Sequence, residues 1–215
     1  MTDIVIGKDA DFSEQRLIER YNSDLANSLG NLLNRSLNMT EKYRLGLLSK
    51  EPEYATHLQM FMKLEQLPEE SGLLKKPEYL PLLDHAASVI NCVNGVSCEM
   101  AEFAIHSSLE VSLSIAKRCN TLIDRTSPWQ LAKSDETARQ LNLVLYHLAE
   151  SLRIIAILIS PVLPKAAHGI FDQLNWKMEL SGKEERFRLE DVKWGGLPDG
   201  HVVGKPVPLF PRIEG

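Results

Sequence analysis

Two places in the chain carry residue types suited to reading an unpaired base. The first is Asn27, Asn31, Asn34, Arg35 and Asn38. Wound at about 100° per residue, these five fall within roughly a 100° arc of one helix. Asn is a poor choice for an ordinary solvated helix face, because its side chain competes with the backbone for hydrogen bonds. It does offer a donor and an acceptor together, and Arg offers a planar donor fork. That pairing suits the edge of a base. Chance enrichment of a polar face is the simpler account on composition alone. The second place is Trp129, directly after Pro128. A lone Trp at a loop usually closes a core, but at the end of a bundle it can also stack a base.

Other chemistry is sparse. Glu102, His106 and Glu110 share a helical stripe, yet the paired Glu-x-x-His spacing of di-metal bundles is absent, so a charge stripe is expected. Cys92, Cys98 and Cys119 are odd in number and form no CxxC, which points to reduced thiols without a metal. No phosphate-cradling Gly loop, nucleophile elbow or HExxH is found. The net charge of −5 and pI near 5.7 argue against sequence-blind nucleic-acid binding. They leave room for a site that reads a few bases. The polar start MTDIVIGKDADF does not read as a signal peptide. The longest apolar run, 154–159, is short for a membrane span, so no membrane partner is expected.

The elements that must position these residues are helical. Asp11 to Tyr43 reads as one long helix with Asp11 as N-cap. Ile18, Tyr21, Leu25, Leu29, Leu32, Leu33 and Leu37 form its apolar face, and Leu17 sits badly. A short helix is predicted over 53–67, then a Pro-punctuated loop. Helices follow over 82–96, stopped by Asn94-Gly95, and over 99–124, capped by Ser97. Pro128 should hold Ser127 extended and break the chain. A long helix over 135–160 starts at Ser134 or Asp135, with Leu141, Val144, Leu145, Leu148, Leu152, Ile155 and Ile159 inward. A last helix covers 164–175. The fold class is therefore all-α, a helical bundle over 1–175 with a loop-rich C-terminal tail over 176–215. The abrupt start suggests that this is part of a longer parent.

Four strings go further as an ordered set: YNSDLANSLGNLLNR (21–35), NTLIDRTSPWQLAK (120–133), ILISPVLPKAA (157–167) and WGGLPDG…PLFPRIE (194–214). Together they resemble the C-terminal anticodon-binding domain of methionyl-tRNA synthetases of the bacterial and organellar type. The resemblance implies that Asn31 and Arg35 hydrogen-bond anticodon bases, that Trp129, following Pro128, stacks the first base, a cytosine, and that the partner is the CAU anticodon loop of methionine tRNA. It implies a cytoplasmic or organellar-matrix location, and a tail over 194–214 that returns toward a catalytic domain. That domain's HIGH and KMSKS motifs and zinc-bearing insertion are absent from these residues. No cofactor is expected in this chain, whereas the parent would use ATP, Mg and methionine. Residues 47–80 are longer than the family's usual connection. Two rival readings remain: a helical protein-interaction module without RNA binding, and the equivalent bundle of a valine-, isoleucine- or leucine–tRNA ligase, which should lack the Asn-x-x-x-Arg plus Pro-Trp set.

Overall fold

The computed structural model describes residues 13–51, 80–101, 105–177 and 188–214. It begins with a continuous helical rod in three parts: α1 (Glu14–Arg20), a π-helical stretch (Tyr21–Gly30) and α2 (Asn31–Arg44). Ser13 is the N-cap, its side chain accepting from the Arg16 N–H. The expected cap, Asp11, and the expected helix over 53–67 lie outside the described residues. Leu29, Leu32, Leu33 and Leu37 are fully buried as the periodicity predicts, and Leu17 is half exposed. The rod ends at Leu45, which takes a left-handed conformation with its N–H on Glu41 O.

Next come α3 (Leu80–Ala101), α4 (Ile105–Thr126), the single turn α5 (Pro128–Leu131), α6 (Ala138–Ile159) and α7 (Pro164–Gln173). Helix α6 is central: α2, α3, α4, α5 and α7 all pack on it. Its seven predicted inward residues are all buried, and so are the residues between them from Leu143 to Ile159. Helix α6 with its preceding turn is long and apolar enough to cross a membrane by length and composition, but 94% of that apolar window is buried inside the fold. It is the core helix of the bundle. A 3-10 turn, Asp135–Thr137, leads into it, with Ser134 accepting from the Glu136 N–H.

Three expectations are corrected. Asn94-Gly95 does not end a helix, because α3 runs through it to Ala101. A C-capping Gly needs positive φ, and Gly95 is not among the positive-φ residues. Gly95 instead faces Val111 of α4, where an added Cβ would meet Val111 Cγ1 at 3.9 Å. Packing along the α3–α4 seam outweighs a propensity cost of about 1 kcal/mol. Ser97 thus lies inside the helix rather than capping one. Ser127 is also not extended: its φ of 44° and ψ of 64° are left-handed. Pro128 disfavours the right-handed α region for Ser127. The Ser127 N–H closes α4 onto Ile123 O at 2.9 Å, which selects the left-handed alternative.

The tail packs on the bundle through a buried ion pair. Glu150 and Arg153 on α6 are 0% and 1% exposed. Arg153 Nη2 donates to Glu150 Oε1 at 2.7 Å and to Lys193 O at 2.7 Å, and Nη1 donates to Asp191 O at 2.6 Å. Glu150 Oε1 accepts from the Gly195 and Gly196 N–H groups at 2.8 Å each, and Oε2 from the Leu197 N–H at 3.0 Å. Tyr146 Oη adds a bond to Leu197 O at 2.9 Å. Beyond this clasp the tail pairs with the end of the rod, where Leu47 and Val202 form an antiparallel bridge. Leu209 and Phe210 then pack against the core, and Val202, Val207 and Ile213 stay exposed.

Removing one buried charge leaves the other uncompensated, so Glu150→Ala should lose about 3–5 kcal/mol in chemical denaturation. Gly196→Ala should destabilise through the same point, because its Cβ would lie 2.5 Å from Arg153 Cζ, a group pinned on every side. Wild-type stability in either variant would contradict this account. Two buried histidines set the acid limit. Desolvation, reinforced by His147 and Arg118, lowers His85 to about 3. Desolvation also lowers His147 to about 4. Both folded values lie below the unfolded value near 6.5, so the unfolded chain binds more protons in between. Stability is full above about pH 6.5 and falls as pH drops toward 4, by roughly 2 kcal/mol per histidine at pH 5. Thermal melts at pH 7.5 and 5.0 should show this drop, and equal melting temperatures would refute it.

Candidate nucleic-acid interface

Arg35 and Asn31 sit one turn apart in α2, on the side opposite buried Leu33 and Leu37. Asn31 is exposed, while Arg35 is partly covered and its guanidinium lies on α4. Arg35 Nη2 donates to Asp124 Oδ1 at 3.0 Å and Nη1 to Asn120 Oδ1 at 3.5 Å. Asn120 also donates from Nδ2 to Ser28 O at 3.2 Å and to Ala116 O at 3.0 Å. This amide therefore ties the end of the π-helical stretch to the Arg35 side chain. The Arg35–Asp124 pair is open to water, with side chains 30% and 66% exposed. Pairs of this kind contribute roughly 0–1 kcal/mol. The guanidinium is held in place by contacts weak enough to yield to a base edge.

Trp129 lies in the turn that follows the same helix. Pro128 is buried and anchors α5, while Trp129 is 41% exposed. The link is short: Ser127 Oγ donates to Asp124 O at 3.3 Å. Asp124 thus touches Arg35 through its side chain and the Pro-Trp turn through its backbone. Thr137 Oγ1 donates to Leu131 O at 2.6 Å and closes the turn onto the start of α6. A part-exposed indole in the turn after α4 and a guanidinium lightly held on its last turn are groups that can stack one base and hydrogen-bond another.

Asn31 opens on a second side. It lines a cleft of about 480 Å³ with Gly30, Asn34, Phe210 and Arg212. Arg212 donates to Asn27 Oδ1 from Nε at 3.0 Å and from Nη2 at 2.6 Å. Asn38 donates to Asn34 Oδ1 at 2.8 Å. Of the Asn stripe, then, Asn27, Asn34 and Asn38 make protein contacts that account for them. Sequence reasoning missed Asn120 and Asp124 as the residues that position Arg35. The signal was present in NTLIDRTSPW, which puts an amide and a carboxylate one turn apart just before the Pro-Trp pair.

Of the Glu102, His106 and Glu110 stripe, Glu102 lies outside the described residues. His106 bonds its neighbour Ser107 at 3.1 Å. Among the described residues no three His, Cys, Asp or Glu side chains gather as a metal site. Cys92 and Cys119 are free thiols, and burial pushes the Cys119 thiol up to about 12, so it stays protonated.

Comparison with known proteins gives one consistent result. A family model described as tRNA synthetases class I (M) matches residues 1–37. The methionine–tRNA ligase of Enterococcus faecalis is 34% identical over 212 residues, covering 98% of this chain and 27% of the relative. That of Nostoc sp. is 32% identical over 216 residues, covering 100% of this chain and 36% of the relative. The crystal structure of apo Mycobacterium tuberculosis methionyl-tRNA synthetase superposes with a TM-score of 0.74 at 26% identity, covering 99% of this chain and 37% of that one. The chain spans about a third or less of the curated relatives just named. Along its whole length it matches the C-terminal part of methionine–tRNA ligases, as the four sequence strings imply.

Proposed function

We propose that this chain recognises tRNA by reading the CAU anticodon of methionine tRNA. The observation that carries the reading is the convergence on Asp124. Arg35, selected by its place in the Asn stripe, bonds Asp124 in the last turn of α4; Trp129, selected by its place after Pro128, lies in the turn that Ser127 ties to the same residue, and both reach solvent. The indole stacks the first anticodon base, a cytosine. Asn31 and Arg35 supply donors and acceptors to base edges, exchanging the Asp124 contact for RNA. Unpaired loop bases are read by this combination of stacking and edge hydrogen bonds.

In the longer protein that the relatives represent, the chain would be the tRNA-selecting part of an ATP-dependent methionine–tRNA ligase. ATP, Mg and methionine belong to the catalytic part, which is its partner within the protein in the cytoplasm. The resemblance to the methionine enzymes, together with the matched Asn-x-x-x-Arg and Pro-Trp set, favours this over a valine-, isoleucine- or leucine-specific bundle and over a scaffold without RNA.

Trp129→Ala should lose about 1–3 kcal/mol of binding to a CAU anticodon stem-loop, with the melting temperature nearly unchanged because the ring is exposed. Arg35→Gln should weaken binding and relax discrimination against altered anticodons. Variants that melt lower yet bind with wild-type affinity and specificity would overturn the reading. Alone, the chain should catalyse no methionine-dependent pyrophosphate exchange, and turnover above background with ATP and Mg supplied would contradict that assignment.

A further inference from the structure

Helix α4 turns one side toward Arg35 and another toward α3, and the second side forms a cleft of about 270 Å³. Its polar lining is Asp84, His85 and Ser88 from α3 with Arg118, Thr121 and Arg125 from α4. Two features set it apart from an ordinary surface groove. Arg118 and Arg125 are exposed, and neither has an ion-pair partner among the described residues. Seven positions apart, they stand two turns apart along α4, about 10 Å. His85, 7% exposed, lies in the wall, and its Nδ1 has no hydrogen-bond partner among the described residues. Buried polar atoms without partners are uncommon, and this one lies behind the surface of a cleft rich in donors.

His85 Nε2 lies 3.3 Å from Cys119 Sγ, which ties the ring to α4. The cleft presents two guanidinium groups and two hydroxyl groups, against a single exposed carboxylate on Asp84. This donor set fits a phosphate oxyanion. The position indicates whose phosphate. Arg125 adjoins Asp124, which holds Arg35, and precedes Pro128 and Trp129 by a single turn. Arg125 is the end of the cleft that lies nearest to Trp129 along the chain.

We propose that the α3–α4 cleft binds backbone phosphate of the RNA strand entering the anticodon site, with Arg118 and Arg125 as donors. The inference rests on the anticodon reading and adds a second, sequence-blind contact to it. Phosphate contacts position a nucleic acid without reading its sequence. They also explain how an acidic chain can hold RNA with only a few localised cations.

The test uses the wild-type chain, Arg118→Gln, Arg125→Gln, the double variant and Trp129→Ala. Each is titrated with a CAU anticodon stem-loop and with one of altered anticodon, across a range of salt. The Arg variants should weaken binding to both loops by the same factor. Each should reduce the slope of log affinity against log salt by about 0.7–0.9. Trp129→Ala should leave that slope unchanged. In histidine-labelled protein, the His85 Nδ1 resonance should move on adding either stem-loop or inorganic phosphate, and stay fixed in the double variant. Arg variants that keep the wild-type slope while the wild type still discriminates between loops would overturn the cleft and leave the anticodon reading intact. A His85 signal moved by inorganic phosphate but not by RNA would overturn the assignment to an RNA strand. Loss of the slope in the Arg variants, with Trp129→Ala binding as wild type, would support the cleft and sink the stacking role. A wild-type chain that binds neither loop would sink both.

Discussion

The tail is fixed to the bundle by the Glu150–Arg153 pair, the most demanding interaction in this molecule. Two opposite charges sit at i and i+3 on the deepest helix, removed from water. Desolvating them costs several kcal/mol per ion, which is offset only where every remaining donor and acceptor is also satisfied. Here the tail completes the set. The carbonyls of Asp191 and Lys193 take the outer guanidinium N–H groups, and three successive backbone N–H groups from Gly195 to Leu197 cover the carboxylate. The Arg153 guanidinium also lies 5.6 Å from the Trp176 ring centroid. The pair therefore specifies one register for a segment that has no helical or strand pattern of its own. The WGG string follows from the same geometry: Gly196 leaves room for the guanidinium, and Gly195 supplies a φ of 91° at the turn.

Fixing that register has consequences at a distance. Downstream of the clasp, the tail exchanges backbone bonds with Gly46 and Leu48 at the end of α2, and His201 donates to Leu174 O at 2.6 Å. It then runs back along the rod, where Phe210 covers Gly30. A Cβ added at Gly30 would meet Phe210 Cδ2 at 3.3 Å, so the smallest residue stands at the closest approach. Arg212 reaches Asn27 and Ile213 reaches Asn22. The helix that carries Asn31 and Arg35 is thus gripped on its second side by the tail while its apolar face is buried in the bundle. A reading site that must hold donors in position gains from such support at both sides.

Helix α4 links the polar functions. One side holds Arg35 through Asn120 and Asp124, the side toward α3 carries Arg118 and Arg125, and its end sets Trp129 through the left-handed Ser127. With a net charge of −5, individual guanidinium groups matter by placement more than through the overall charge. Arg35 stays lightly held and Arg153 fully enclosed, and the difference in exposure separates a group free to exchange partners from one committed to the fold.

The amphipathic rod, the buried face of α6 and the Ser134 cap were legible in the sequence, because 3.6-residue periodicity and capping chemistry are local. Asn31, Arg35, Pro128 and Trp129 are candidates through residue chemistry and the ordered family strings. What the sequence could not settle depended on residues distant in the chain. Asn94-Gly95 reads as a stop until Val111 is placed beside it. Ser127 reads as extended until the α4 carbonyl it must cap is present. Glu150 and Arg153 carry no mark in the sequence beyond their i, i+3 spacing. Only packing shows them sealed in the core and completed by backbone about 40 residues onward. The partnership of Arg35 with Asp124 spans 89 residues. Local chemistry determined which elements form, and tertiary structure decided which polar groups are spent on the fold and which are left facing solvent.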